Sequence, residues 1–353
     1  MKISKAGRRL LWLGGVVLLV AGLGSCAQVR YLTQAAGGQI DLLRRARPIA
    51  DVLADAATPP ETRRKLELVG RVRTFALSEL GLPDHGAFLK YVDVRRPYVV
   101  WNVFAAPPDS VALDTSCFPI AGCVGYRGYF AEPGAQTYAE GRRAAGRDVS
   151  VGGVSAYSTL GILKDPVLST MLAYSDTTLI RTIIHELSHP ALYVKDDTVF
   201  NESFAVSLEN EGMKRYLAKY GTPELREADK LAQERAAGFE ALLLQTRGEL
   251  ADLYDQKLPS ATTQQRKTAI LNSLNQRYAA LKVSWDGYSG YDGWFERGVN
   301  NASLGAVAAY ATMVPDFAAL LARNNGSIPA FIEAAAACAK RPSEERKACL
   351  EGG

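Results

Sequence analysis

The feature that most limits how this chain can fold is the run from Leu179 to His189, an apolar helix pattern that ends in His185-Glu186-Leu187-Ser188-His189. On an α-helix, residues four apart share a face with Cβ atoms about 5–6 Å apart, so the two imidazoles can grip one metal ion from adjacent turns. Glu186 is offset from that pair, which lets its carboxylate reach a water on the metal without becoming a ligand. Ser175, Asp176, Thr177 and Thr178 supply helix caps, and Leu179, Ile180, Ile183, Ile184 and Leu187 predict a deeply buried helix. Imidazole and carboxylate groups in such a place are costly unless they are paired or bind a metal. The alternative is a pair of core histidines satisfied by hydrogen bonds.

The next segment supplies the missing donor. Asp196, Asp197 and Thr198 cap a second predicted helix over 199–209, whose Phe200, Phe204 and Leu208 form an inward stripe. Glu202 on this helix is the natural third ligand. Two histidines and one carboxylate leave a tetrahedral zinc ion one open position for water, the arrangement of a catalytic rather than a structural site.

With these residues in place, the chain resembles the gluzincin metallopeptidases, in which HExxH is followed by a helix carrying an Asn-Glu pair. Asn201-Glu202-Ser203-Phe204-Ala205 also matches the fuller pattern of the alanyl-aminopeptidase branch, although twelve residues separate His189 from Glu202. By that resemblance Asn201 and Glu209 stand behind the ligands, with Glu209 orienting a zinc histidine from outside the coordination shell. Taken together, CFPIAGCVGYRGYF at 117–130, GVSAYSTLG at 153–161, HELSH and FNESFA resemble a bacterial lipoprotein family of predicted zinc aminopeptidases. Pro190 departs from the pattern and is expected to end or kink the helix near His189.

The 353 residues, 48% of them hydrophobic, suffice for one large core or two lobes sharing a cleft. Lys2, Lys5, Arg8 and Arg9 account for the whole formal net charge of +4, so nothing in the remaining balance suggests nucleic acid. These cations precede the apolar run Leu10 to Leu23 and then Leu23-Gly24-Ser25-Cys26, an export signal. The last four residues resemble the lipobox of bacterial lipoproteins. The resemblance implies cleavage before Cys26, acylation of its thiol and anchorage in the cell envelope; Ala27 favours the outer membrane, facing the periplasm. An uncleaved anchor, or ordinary cleavage nearby, is the rival reading. Four cysteines remain, an even number suited to an oxidising compartment. They are expected to pair locally, Cys117 with Cys123 across a short loop and Cys338 with Cys349 across the helix break at Pro342. The alternative for the first pair is a zinc site, which lacks further ligands at finger-like spacing.

Along the chain, helices are predicted over 30–57 and from Pro60 to about Leu80, and strands over Tyr98–Phe104, Val124–Phe130 and Asp148–Val154, with a helix from about Pro133 to Ala145. Beyond Ser175 the pattern is helical. A hairpin is expected from Thr222 to about Val283, an aromatic, glycine-rich loop from Trp285 to Asn301, and helices over 303–323 and 328–340. The hairpin has too few heptads to argue a dimer, and there is no other oligomerisation signal. The expected fold class is α+β. The motifs imply a zincin-like metallopeptidase with a small mixed β-sheet lobe over 97–174 and a mostly helical lobe over 175–353, preceded by a leader over 1–25 and a tether with helices over 26–96. In that architecture an edge strand pairs with the substrate backbone. Gly152 to Tyr157 is the candidate, with Gly153 and Tyr157 as substrate contacts; a plain turn is the alternative.

The chemistry expected is hydrolysis of a peptide substrate with Glu186 as general base and one zinc ion on His185, His189 and Glu202. A further group must stabilise the oxyanion. A phenol is preferred over His85, and Tyr291 stands first, ahead of Tyr288, Tyr193 and Tyr157. Aminopeptidase and endopeptidase remain open, because 153–161 holds no acid to capture an amine and Glu209, Glu211 and Asp292 are the remaining candidates. A non-catalytic zinc- or peptide-binding scaffold is the reading from another class.

Overall fold

In the computed structural model of the chain, the described residues are 28–118, 122–157, 159 and 162–352. The leader and Cys26 lie outside them. Residues 28–45 form one unit, a helix (α1), and the chain from Ala46 onward forms a second compact unit. No described helix is long and apolar enough to cross a membrane.

The single helix expected over 30–57 is broken. Pro48 cannot extend a helix that reaches it from the N-terminal side, and Arg47–Pro48 instead forms a short strand (β1) before helix α2, Ile49–Ala54. Helix α3, Pro60–Ser78, starts on a proline whose missing N–H is no loss in the first turn. It buries Leu66, Val69, Val72, Phe75 and Ala76, and the chain turns away at Gly81 with φ of 68°.

Three small sheets follow rather than one. β1 and β8 (Val167–Leu168) flank β2 (Lys90–Val92), antiparallel on one side and parallel on the other. The site belongs to the second sheet, in which β3 (Val100–Ala106) lies between β6 (Arg127–Tyr129) and β7 (Asp148–Val154), antiparallel to both. Helix α4, Glu132–Ala144, connects β6 to β7 and packs on this sheet. The continuous strand expected from Val124 to Phe130 does not form. Cys117 and Cys123 are joined in a disulfide and face each other as a cross-strand pair of the antiparallel strands β4 (Ser116–Phe118) and β5 (Gly122–Val124). Gly122 adopts φ of 75° there, and a Cβ at that position would stand 2.3 Å from the Asp196 carboxylate.

After the short helix α5 (Ser169–Leu172), α6 spans Asp176–Ser188 and α7 spans Thr198–Tyr220. The two pack closely along their lengths. Behind α7, Phe200 and Phe204 meet Phe317 of α12 (Val314–Arg323) and Phe331 of α13 (Ile328–Ala339), all four fully buried. Phe204 stacks on Phe331 with centroids 5.6 Å apart, and Phe200 meets Phe317 edge-on at 4.9 Å. A second disulfide, Cys338–Cys349, ties α13 to α14, Ser343–Glu351.

The hairpin is present as α8 (Pro223–Asp255) and α9 (Ser260–Ser284). The loop after it folds into α10, Asp292–Glu296, and the helix expected over 303–323 is two, α11 (Asn301–Ala311) and α12, because Pro315 opens a new first turn. These helices do not form a lobe apart from the sheet. Asn301 donates from its backbone N–H to Asp148 and from Nδ2 to the Pro107 carbonyl, and Lys267 of α9 pairs with Asp148 at 2.6 Å. Sheet and helices belong to the one compact unit that starts at Ala46.

Gly212 lets α7 lie tight against α6, since a Cβ there would stand 2.9 Å from both Ile184 and Leu80. Gly212→Val should cost about 1–3 kcal/mol by overpacking, read as a lower denaturation midpoint in urea.

Candidate metal centre

Helix α6 is held by its first turn. Ser175 Oγ accepts from the Thr178 N–H at 3.2 Å. Asp176 receives Lys65 Nζ and the Arg64 guanidinium, both at 2.7 Å, which fastens this end of α6 to α3. Leu179, Ile180, Ile183 and Ile184 are fully buried. At the other end the helix stops at Ser188, and His189–Ala191 tightens into a 3-10 turn around Pro190. His189 nevertheless keeps helical dihedrals, φ −56° and ψ −42°, so its ring stays above that of His185. The ring centroids are 4.9 Å apart and nearly perpendicular.

Helix α7 brings the third donor. Asp197 caps it by accepting from the Phe200 N–H, and its other carboxylate oxygen pairs with Arg346 of α14. With the phenylalanine stripe turned inward, Glu202 faces α6. Its Oε2 lies 3.3 Å from His185 Nε2 and 3.9 Å from His189 Nε2, and the three donor atoms are all within 4.8 Å of one another. Donors bound tetrahedrally to one zinc ion stand about 3.3 Å apart, so small side-chain rotations complete a shell.

Glu209, two turns along α7, places Oε2 3.1 Å from His185 Nδ1. A carboxylate there accepts the Nδ1 proton and fixes the ring so that Nε2 is the nitrogen turned toward Glu202. Arg181 reaches Glu209 at 3.4 Å but is held mainly by Asp229 of α8, at 2.7 and 3.0 Å. Glu186 Oε2 and His189 Nδ1 are buried with no hydrogen-bond partner among the described residues. The cluster thus gathers three carboxylates around two imidazoles, and the donor set of His185, His189 and Glu202 fits a divalent cation.

The titration behaviour follows from that crowding. Burial alone would lower His185, yet its bonds to Glu202 and Glu209 hold it well above the ordinary range. Burial pushes Glu186 up to about 7, and burial with the neighbouring His185 takes His189 down to about 4. For Glu202 burial works upward, but the hydrogen bond from His185 and the charges of both imidazoles bring it below the usual carboxylate value.

These groups line a cavity of about 200 Å³ whose other walls include Asn102, Tyr126, Val154, Tyr157 and Tyr193. The matching family, described as "Putative aminopeptidase", covers residues 30–350. The chain belongs to this family. No curated protein matches the chain, and no solved structure does.

Within this family member the remaining expected site residues separate. Tyr157 and Tyr193 line the cavity. Gly153 lies on edge strand β7 but belongs to the opposite face of the sheet, where its bare Cα lies under the Tyr98 ring; a Cβ would stand 2.2 Å from that ring. Tyr291 is outside the cavity. It stacks on Phe239 at 4.0 Å, beside Trp285 and Tyr288, because the aromatic residues of the 285–300 loop fold back to fill the end of the α8–α9 hairpin. His85 is exposed and also outside it. Sequence reasoning did not single out Asn102 or Tyr126, although both sit in segments with an alternating pattern.

Asn201 has a defined structural task. Its Oδ1 accepts from the Val194 N–H and its Nδ2 donates to the Val194 carbonyl, both at 2.7 Å, which pins the loop carrying Tyr193. Asn201→Ala would leave both backbone groups buried and unpaired. It should cost about 2–3 kcal/mol of stability, measured by chemical denaturation, with Asn201→Asp intermediate because it keeps the acceptor.

Proposed function

We propose that this chain is a zinc-dependent peptidase of the bacterial envelope, an aminopeptidase with a zincin-like fold, anchored by lipid on Cys26. The observation that carries the catalytic reading is the convergence of His185, His189 and Glu202 donor atoms within 4.8 Å beside a buried Glu186 carboxylate oxygen with no partner among the described residues. The anchor rests on the sequence around Cys26 alone.

His185, His189 and Glu202 would hold the ion, and Glu209 keeps the His185 ring turned toward it. Bound zinc supplies Lewis-acid polarisation and a water of lowered pKa. Glu186 takes the proton of the attacking water and delivers it to the leaving amine. Tyr193 replaces Tyr291 as the phenol that donates to the carbonyl oxygen as it gains charge, since it lines the cavity and its own proton is held by burial and by the nearby charges of Asp196 and Glu202. β7 has no strand on its outer side among the described residues, and an extended peptide can add there.

One observation favours an endopeptidase as the second reading. Among the described residues lining the cavity, Glu186 and Glu202 are the only acids. Glu209 serves His185, Glu211 pairs with Arg215 at 2.8 Å, and Asp292 pairs with Lys282 at 2.5 Å, so none of the three is placed to receive an amine.

Glu186→Gln should retain one zinc per chain by metal analysis while kcat/KM falls by about 10²–10⁴. Glu202→Ala should lose the metal. A Glu186→Gln chain that left every cellular phenotype unchanged would put the non-catalytic scaffold reading in its place. On a panel of matched peptides, an aminopeptidase should cleave free N-termini and lose cleavage on N-acetylation; equal rates on both sets would assign the endopeptidase.

A further inference from the structure

A second cavity adjoins the first along the same sheet face. Cross-strand partners share a face, so Val100 with Val154, Asn102 with Gly152, and Phe104 with Ser150 form one row of pairs on β3 and β7. Val154 and Asn102 line the cavity of the proposed metal centre, whereas Gly152, Phe104 and Ser150 line another of about 230 Å³. The two meet at the Asn102–Gly152 pair and where the Tyr126 ring, on the first cavity, meets the Phe104 ring, on the second, at 5.7 Å. Gly152 leaves this junction open, since nothing lies within 4 Å of where its Cβ would stand. A peptide extended along β7 from Val154 to Ser150 advances about 13 Å and passes from one cavity into the other.

The far cavity is walled by Trp294 of α10 and by Arg297, the only charged residue lining it among the described residues. Arg297 is exposed, and among the described residues its guanidinium has no ion-pair or hydrogen-bond partner, whereas Arg181, Arg215 and Arg277 are each matched to an acid. A planar, unpaired guanidinium beside an indole suits a carboxylate, which it can bind through two parallel hydrogen bonds.

We propose that this second cavity is a substrate subsite in which Arg297 receives a carboxylate of the bound peptide, roughly four residues from the bond to be cut. The carboxylate is either the C-terminus of a short peptide or an acidic side chain. The proposal rests on the peptidase reading for its substrate class, and its test reads binding apart from turnover.

The whole chain carrying Glu186→Gln, loaded with zinc, would be titrated calorimetrically with tri-, tetra- and pentaalanine, with their C-terminal amides, and with amidated peptides that carry one glutamate. One length of free acid should bind about tenfold more tightly than its amide. Arg297→Ala should erase that difference and leave the affinity for the amide unchanged. A glutamate that restores affinity to an amide assigns the side chain as the source, and one that does not assigns the C-terminus. Equal binding of acids and amides, a preference that survives Arg297→Ala, or no binding of any peptide would overturn the subsite. Binding that depends on Arg297 in a chain that hydrolyses none of these peptides would keep the subsite and remove the peptidase reading. Hydrolysis by the unsubstituted chain without a carboxylate preference would do the reverse.

Discussion

The packing of α6 against α7 is the contact on which the rest depends. Each helix presents an apolar flank to the core, Ile180, Ile183 and Ile184 from one and Phe200, Phe204 and Leu208 from the other, and all six are fully buried. With those flanks committed, periodicity decides where the polar residues go. His185 and His189, four apart, share one line; Glu202 and Glu209, seven apart, share another. The two lines face each other because the close approach at Gly212 brings the helices together. The donors therefore owe their convergence to hydrophobic burial, which is strong enough to gather polar groups that would otherwise remain in water.

The cost of that gathering is visible in the partners recruited around it. Glu209 is shared between an imidazole and Arg181, and Arg181 is in turn clamped by Asp229 from the hairpin helix α8. Asn201 spends one donor and one acceptor on Val194 to hold one loop. Among the described residues Glu186 Oε2 and His189 Nδ1 remain unmatched, and both side chains line the cavity. Buried polar groups are nearly always paired, so unpaired ones in a cleft are where chemistry is most economically sought.

How much of this was legible beforehand varied with the range of the interactions involved. The spacing of His185, Glu186 and His189 and the capped helix carrying Glu202 are local patterns, and so are the two cysteine pairs closed over short loops. Helix breaks at Pro48 and Pro315 were missed because apolar periodicity on either side was read through the proline. Tyr291 failed for another reason. A phenol that fills the end of a helical hairpin and one that lines a cleft occupy the same kind of aromatic, glycine-rich loop, and only the packing of Phe239 against the ring tells them apart. Tyr126 and Asn102 were hidden in the opposite way, since Asn102 is an ordinary position of a strand and Tyr126 an ordinary position between two strands until the helices α6 and α7 bring the cavity to them.

The ion pair between Asp197 and Arg346 links residues 149 positions apart. Asp197 both begins α7 and accepts that distant guanidinium, so the helix that bears Glu202 acquires its final anchorage only once a much later segment has been made and folded back. During vectorial synthesis the side chains at 185, 189 and 202 would emerge well before the guanidinium that clamps the start of α7. The final setting of the cluster would then wait on the α13–α14 clasp.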